Sequence, residues 1–232
     1  IGGMPPAPLP LDQRTFGAVL FDMDGTLIDS IPAVERSWLT WAAENSVAPE
    51  RLLGFHGVPA LGVIGALLPD LDAAGRQASF QRIEDLEVAD VDGVVLLPGA
   101  QEALTTLIDA GAKVAIVTSC TDPLYEARVT ATGLRRPPVV VTASMVKRGK
   151  PAPDPFLLAA ERLGVDPADC LVVEDATSGL RAAHAAGVTS TLAVLHTTPR
   201  AELAELAELV VGGMDDVTFG VDEESRITLA TR

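Results

Sequence analysis

Phe21-Asp22-Met23-Asp24-Gly25-Thr26 follows the apolar run Ala18-Val19-Leu20, and the fold is read outward from this stretch. An extended backbone turns residues two apart to the same side, so the carboxylates of Asp22 and Asp24 are expected to face one cation or one phosphate. Gly25 permits a sharp turn just beyond the acids, and Thr26 places a hydroxyl and an N–H beside them. Taken alone, D-x-D-G also describes a strand followed by a solvated Asp-Gly turn. Three further segments, each at a strand end, set this one apart.

Short, continuous, β-branched runs recur at 18–21, 114–117, 139–141, 171–173, 191–194 and 209–211. Strands apolar on both faces belong to a parallel sheet covered by helices. Helical stretches alternate with them: 100–110 ended by Gly111, a helix started by Asp122-Pro123 and closed at Gly133, 153–163 ended by Gly164, and 176–186 ended by Gly187. Pro near a helix start and Gly just past its end is the expected asymmetry. The alternation predicts an α/β fold, a doubly wound, Rossmann-like parallel-sheet core with right-handed crossovers.

One region breaks the alternation. From Ser30 to about Val94 only helical patterns occur, with Ile31, Val34, Trp38 and Trp41 on one stripe, capped by Asp29 or Ser30. Two more helices are expected at 59–68, with Leu61, Ile64, Leu67 and Leu68 inward, and at 71–88, with Ile83 and Leu86 inward. The expected organisation is a core of residues 11–29 and 95–232 and a small inserted α-helical cap of residues 30–94. The tail, 217–221 and 226–229 around Asp222-Glu223-Glu224-Ser225, reads as a small edge hairpin.

With 17 Lys and Arg against 32 Asp and Glu, the chain carries a formal charge of -15, which argues against a nucleic-acid partner. Any anionic ligand must be held locally. Cys120 and Cys170 lack C-x-x-C spacing, so neither a zinc site nor a disulfide framework is indicated and a reduced, cytoplasmic setting is expected. No apolar run is long enough to span a membrane, and Ile1-Gly2-Gly3-Met4-Pro5-Pro6 has no charged leader with an apolar core, Met4 reading as the native start. Residues 5–10 are expected to be an extended lead-in.

The residues just past each strand carry the chemistry, because open α/β sheets bind ligands beyond the carboxyl ends of their strands. Thr118-Ser119 come after one strand and precede a helix N-terminus, as an anion site or as simple caps. Lys147-Arg148-Gly149-Lys150-Pro151 concentrates three of the 17 cations in four residues, and Lys150 is one of only three lysines. Pro151 stiffens the backbone behind it. Glu174-Asp175 come after another strand. Asp22, Asp24, Glu174 and Asp175 would then crowd one edge of the sheet, where like charges raise one another's pKa values. A hard cation relieves this, and Mg²⁺ takes oxygen ligands and bridges to phosphate. Lys150, Thr118 and Ser119 would supply the remaining positive potential for a phosphoryl group.

In order, D-x-D-G-T, hydroxyls after a second strand, K-P, and Glu174-Asp175-Ala176-Thr177-Ser178-Gly179 resemble the haloacid dehalogenase superfamily over residues 16–212. The helical insertion resembles the type with a small α-helical cap. Leu97-Pro98-Gly99-Ala100 and Gly149-Lys150-Pro151-Ala152-Pro153-Asp154-Pro155 are similar to sugar- and glycerol-phosphate phosphatases. The resemblance implies that Asp22 is the nucleophile and that Asp24 is the general acid and base, held by Thr26. It implies that Thr118 and Ser119 bind the phosphoryl oxygens and that Lys150 neutralises Asp22 and phosphate. Mg²⁺ would sit between Asp22, the Asp24 carbonyl and Asp175, with Glu174 direct or through water. The implied partner is a small phosphorylated metabolite, with neither nucleic acid nor membrane, and the chain a monomer or weak dimer.

Departures from the pattern narrow the choice. Dehalogenation is disfavoured because that branch has no second Asp at the position of Asp24, and phosphonate cleavage needs a cap lysine that residues 31–95 lack. A β-phosphoglucomutase-like mutase shares every core motif, but family mutases carry His where this chain has Val34 and a Lys-Asn pair after the second motif where it reads Cys120-Thr121-Asp122. A receiver-type phosphoacceptor module is about half this length. Within Phe55-His56-Gly57-Val58-Pro59, a cap loop, His56 is a candidate substrate contact, and Val58 stands where many relatives place Arg. Trp38 and Trp41 read as packing, His184 as structural, and Cys120 has no sequence-evident base.

Overall fold

Alternate residues of the first long strand feed two different cores, which is why its run is apolar without a break. The computed structural model describes residues 9–55 and 58–232, so most of the expected lead-in lies outside the described residues. Strand β1 (Thr15–Phe16) leads into β2 (Ala18–Phe21), and β3 (Ile28–Asp29) follows the acidic turn. Helices α1 (Ile31–Glu44), α2 (Ala60–Leu67) and α3 (Ala73–Ala89) precede the return through β4 (Val95–Leu96). Next come α4 (Ala100–Asp109), β5 (Val114–Val117), α5 (Asp122–Thr132), β6 (Val139–Val141), α6 (Asp154–Leu163), β7 (Cys170–Glu174) and α7 (Thr177–Ala185). The chain finishes with β8 (Ser190–Val194), α8 (Arg200–Ala204), β9 (Leu209–Val211), β10 (Val217–Val221) and β11 (Ile227–Thr231).

Six strands form one parallel sheet in the order β6-β5-β2-β7-β8-β9. The order runs outward in both directions from β2, so the crevice where it reverses opens beyond the end of that strand, where Asp22 stands. Val19 and Phe21 pack with Leu104 and Leu107 of α4 and Leu124 and Val129 of α5. Ala18 and Leu20 pack against Phe156 and Ala159 of α6 and Ala182 of α7. Helices on both faces explain strands with no polar side.

The tail differs from the expected edge hairpin. Strands β10 and β11 pair antiparallel, β1 adds to β11, and this three-stranded sheet is separate from the main one. Phe219, Ile227 and Leu229 join the core that holds Phe21, with the Phe21 and Phe219 rings 5.6 Å apart in edge contact. The apolar alternation of β10 and β11 is thus spent on covering the main sheet rather than on extending it.

Helices α1, α2 and α3 share their own apolar cluster of Trp41, Ile64, Leu67 and Ile83, with Trp38 and Phe80 at its margin. The expected Trp41, Ile64, Leu67 and Ile83 are inward, but the edges of the stripes differ: Val63 is buried while Leu61 is 49% exposed, and on α1 Ala33, Ser37 and Ala42 are buried beside Trp41. The sequence of α2 is apolar all round, and small residues carry the α1 line, so hydropathy alone does not select the face. Strands β3 and β4 pair antiparallel, which sets the two passages between sheet and helices side by side. Asp29 accepts the Ile31 N–H at 3.0 Å and caps α1, leaving the Ser30 hydroxyl for another partner.

Candidate active site

Asp22 lies one residue past β2, and its N–H still bonds the Val173 carbonyl of β7, so its backbone is fixed by the sheet. Its carboxylate is held on both oxygens. The Lys150 ammonium donates to Oδ1 at 2.7 Å, and the Thr26 hydroxyl donates to Oδ2 at 3.1 Å. Lys150, buried, spends its other donors on the Val117 carbonyl at 2.8 Å and Glu174 Oε1 at 2.7 Å. One ammonium thereby ties together the ends of β2, β5 and β7. Burial alone would lower its pKa, but Asp22 and Glu174 outweigh that and raise it. The Lys147–Lys150 cluster of cations therefore divides, since Arg148 is exposed and paired with Asp154 while Lys150 turns inward.

Asp175 completes an acidic trio. One carboxylate oxygen each of Asp22, Glu174 and Asp175 lie within 4.8 Å of one another, all three residues buried. The backbone is shaped for them. Gly25, at φ +86°, leaves room where a Cβ would strike the Asp175 carboxylate, and Gly179 in the first turn of α7 does the same for Glu174. Glu174 Oε2 accepts the N–H groups of Asp175 and Ala176 at 3.0 and 3.2 Å. Burial and the Asp22 charge raise the pKa of both Glu174 and Asp175, Lys150 opposing. Three carboxylates against one ammonium leave two formal negative charges in a buried, all-oxygen set, which suits a hard divalent cation.

Asp24 departs from the expected arrangement. Its carboxylate does not face the same way as that of Asp22 but is taken up by Ser30 Oγ and Arg128 Nη1, each 2.7 Å from Oδ1, and by Cys120 Sγ, 3.1 Å from Oδ2. The strand ends at Phe21, and residues 22–27 turn the chain toward β3, with Leu27 and Ile28 both donating to the Met23 carbonyl, so the period of two no longer applies. The carboxylate of Asp24 stands outside the acidic trio, which leaves the place at the ion given to Asp24 by the resemblance to its main-chain carbonyl.

Thr118, buried, follows β5 directly after the carbonyl that anchors Lys150, and its hydroxyl oxygen accepts the Cys120 N–H at 3.1 Å. Ser119 is exposed beside it. The thiol of Cys120 is buried, and burial together with Asp24 pushes its pKa up, away from a nucleophilic thiolate. Trp41 packs in the helical cluster, as expected, and His184 is exposed on α7. His56 lies outside the described residues.

Arg128, Ser30, Glu84 and Glu87 were not anticipated. Arg128 occupies the inward face of α5 between Leu124 and Val129, and an arginine on an apolar stripe was the available signal. Its guanidinium also approaches Glu87 Oε1 of α3 at 3.6 Å, and its Nη1 lies 3.2 Å from Cys120 Sγ. Glu84, one turn earlier on α3, bonds the Thr121 hydroxyl. Burial raises the pKa of Glu87 to about 7, with Arg128 opposing.

A doubly wound parallel sheet that gathers a lysine and three buried carboxylates beyond the end of its first long strand is the arrangement of a class of α/β enzymes that bind their ligands at the switch point of the sheet. Comparison with known proteins gives the family. The chain belongs to the haloacid dehalogenase-like hydrolases, whose family model matches residues 16–187, and it is an enzyme of that hydrolase class. It is 43% identical over 200 residues to hexitol phosphatase A of Escherichia coli, covering 86% of this chain and 92% of that protein. It is 32% identical to the fructose-1-phosphate phosphatase YqaB of Escherichia coli, over 75% of this chain and 94% of the other. Among solved structures, CbbY from Rhodobacter sphaeroides in complex with phosphate superposes with a TM-score of 0.71 at 25% identity, covering 87% and 96% of the two chains.

Proposed function

We propose that this enzyme is a Mg²⁺-dependent phosphatase that hydrolyses a small sugar or polyol phosphate through an aspartyl-phosphate on Asp22. The observation that carries the reading is the placement of the Asp22 carboxylate, clamped by Lys150 and Thr26 and flanked by Glu174 and Asp175 at the switch point of the sheet. With one oxygen on the ammonium and the other on a hydroxyl, the carboxylate plane is fixed before any substrate arrives. An oxygen of Asp22 attacks phosphorus in line, the bond from phosphorus to the ester oxygen breaks, and Asp24 gives the departing alkoxide its proton. Water then attacks phosphorus, Asp24 takes the proton, and the Asp22 carboxylate is restored as inorganic phosphate leaves.

Lys150 offsets charge on Asp22 throughout, and Thr118 with Ser119 are assigned to the phosphoryl oxygens. Asp22, Glu174 and Asp175 would hold the Mg²⁺ ion, with the Asp24 carbonyl. When bound, the ion supplies positive charge beside the transferring phosphoryl group. Domains are assigned as expected from the sequence, core 11–29 and 95–232 and cap 30–94, the cap reading the leaving group. His56 keeps its assignment as a substrate contact.

Similarity to proteins named hexitol phosphatase and fructose-1-phosphate phosphatase supports a polyol or sugar ester. Val58, 41% exposed in the loop where relatives place Arg, supports a substrate with one anionic group. The absence of His at Val34 and of Lys-Asn after Cys120 supports hydrolysis over phosphosugar transfer. Among the described residues no helix is long and apolar enough to cross a membrane, and Cys120 and Cys170 are free and buried, which supports a reduced cytoplasmic setting. A monomer or weak dimer acting on a free metabolite is the proposed state.

The test is release of inorganic phosphate across a panel of sugar, polyol and nucleotide monophosphates. Repeated turnover of a hexitol or hexose phosphate is expected. A single stable phosphorylation without turnover would mark a phosphoacceptor module instead, and transfer between sugar hydroxyls without release would mark a mutase.

A further inference from the structure

Arg128 is a buried cation that neither the nucleophile nor the acidic trio uses. Its Nη1 lies 2.7 Å from Asp24 Oδ1 and 3.2 Å from Cys120 Sγ, and its Nη2 lies 3.6 Å from Glu87 Oε1. Thus one guanidinium on α5 touches the Asp24 carboxylate and also reaches α3 in the helical insertion. We propose that Arg128 is the positioning residue of Asp24: it receives the charge left on that carboxylate when its proton has gone, and holds the anion oriented for the second half of the cycle. The proposal rests on the acid and base role assigned to Asp24 above.

The Asp24 carboxylate sits in a cradle of three donors, of which two are neutral. Ser30 Oγ shares Oδ1 with Arg128, and Cys120 Sγ meets Oδ2 at 3.1 Å. The guanidinium supplies the only full positive charge in contact with it among the described residues. A buried, permanently charged donor, touching Oδ1 through Nη1 alone and steadied by its own planarity and packing, holds that oxygen more firmly than a neutral donor does. Glu87 steadies the far side of the guanidinium, so α3 has a say in where Asp24 stands.

The need for Arg128 is concentrated in one chemical step. Once the leaving group has departed with the proton, Asp24 is an anion. A water oxygen then forms its bond to phosphorus, the water proton passes to Asp24, and the bond between phosphorus and Asp22 breaks, returning its electron pair to the carboxylate. Without Arg128 the anion keeps only the two neutral donors, Ser30 and Cys120, and its charge has no partner, so it is held less firmly and the aspartyl-phosphate waits.

p-Nitrophenyl phosphate isolates this step, because nitrophenolate leaves without a proton and the first half of the cycle is spared. For Arg128→Gln the expected result is a stoichiometric burst of nitrophenolate followed by a kcat about 30-fold below wild type. KM should fall in parallel, so kcat/KM stays within about threefold. Arg128→Lys, which keeps the charge and guards against a misfolded first variant, should recover much of kcat. Glu87→Gln should show the same signature, weaker. Parallel loss of kcat and kcat/KM without a burst would show a merely structural role and overturn the proposal, as would unchanged kinetics in both arginine variants. Failure of the wild-type enzyme to release phosphate from any monoester would instead remove the phosphatase reading on which the proposal stands.

Discussion

Asp22 and Asp24 stand two residues apart yet hand their carboxylates to different cations, Asp22 to Lys150 at 2.7 Å and Asp24 to Arg128 at 2.7 Å. The turn that begins after β2 separates them. One is enclosed with Glu174 and Asp175, and the other is held by Ser30, Cys120 and Arg128. Separate partners suit the separate tasks proposed for the two, a fixed nucleophile and a proton carrier, because neither carboxylate competes for the other's donor.

Asp22→Asn should abolish turnover, by at least about 1,000-fold, while preserving the fold. The amide oxygen can still accept from Lys150, and its NH₂ can donate to Thr26, whose hydroxyl accepts as readily as it donates. Phosphate release and thermal melting, measured together, separate lost chemistry from lost structure. Activity near wild type would refute Asp22 as the nucleophile.

Lys150→Met should be costly to stability as well as to activity. The ammonium is buried and pairs both Asp22 and Glu174, and its loss leaves two carboxylates facing each other without a cation. Breaking a buried pair from one side typically costs about 3–5 kcal/mol. Urea denaturation without divalent ions measures it. A variant within about 1 kcal/mol of wild type would mean that the trio is neutralised some other way.

Chelation should stop the reaction, and Mg²⁺ should restore it, with Ca²⁺ a poor substitute because of its larger, looser shell. A second readout is independent of turnover. Crowded, buried carboxylates whose pKa values are raised by burial and by one another gain stability from any cation bound only by the folded state. At a hundredfold excess over Kd the gain is about 2.7 kcal/mol, or roughly 5–10 °C in Tm for a chain of this size. No shift of Tm with Mg²⁺ would deny the site its ion.

Much of this was legible from the sequence because it lies in backbone-defined places. All six strands of the parallel sheet are continuous apolar runs, and strand ends in a doubly wound sheet converge, so Lys150, Glu174 and Asp175 met Asp22 as expected. What escaped depends on side chains crossing between elements. Asp24 turned to Arg128 because a turn, not a strand, carries it, and no spacing rule places α5 beneath it. The contacts of Glu84 and Glu87 with Thr121 and Arg128 arise where α3 meets α5, two helices whose relative position the linear pattern leaves open. On α2 the expected Ile64, Leu67 and Leu68 join the cluster and only Leu61 is misplaced, Val63 taking the inward position, since Ala60–Leu67 has no polar side to point outward.

Glu87 gives the enzyme a pH-dependent term in its stability. Burial raises its pKa from an ordinary 4.5 to about 7, against the pull of Arg128 and with Asp24 and Glu84 adding to the rise. Between those values the folded state holds a proton that the unfolded chain has released, so stability falls as pH rises. The contribution is complete below about pH 4.5 and lost as pH passes 7, in all about 3 kcal/mol. Glu87→Gln is neutral at every pH and should lack this fall. Relative to wild type the variant should therefore gain stability between pH 5 and pH 8, by about 2–3 kcal/mol in urea denaturation without divalent ions. A difference between the two proteins that stays constant from pH 5 to pH 8 would mean that Glu87 is ionised throughout, paired with Arg128 more closely than their 3.6 Å separation provides.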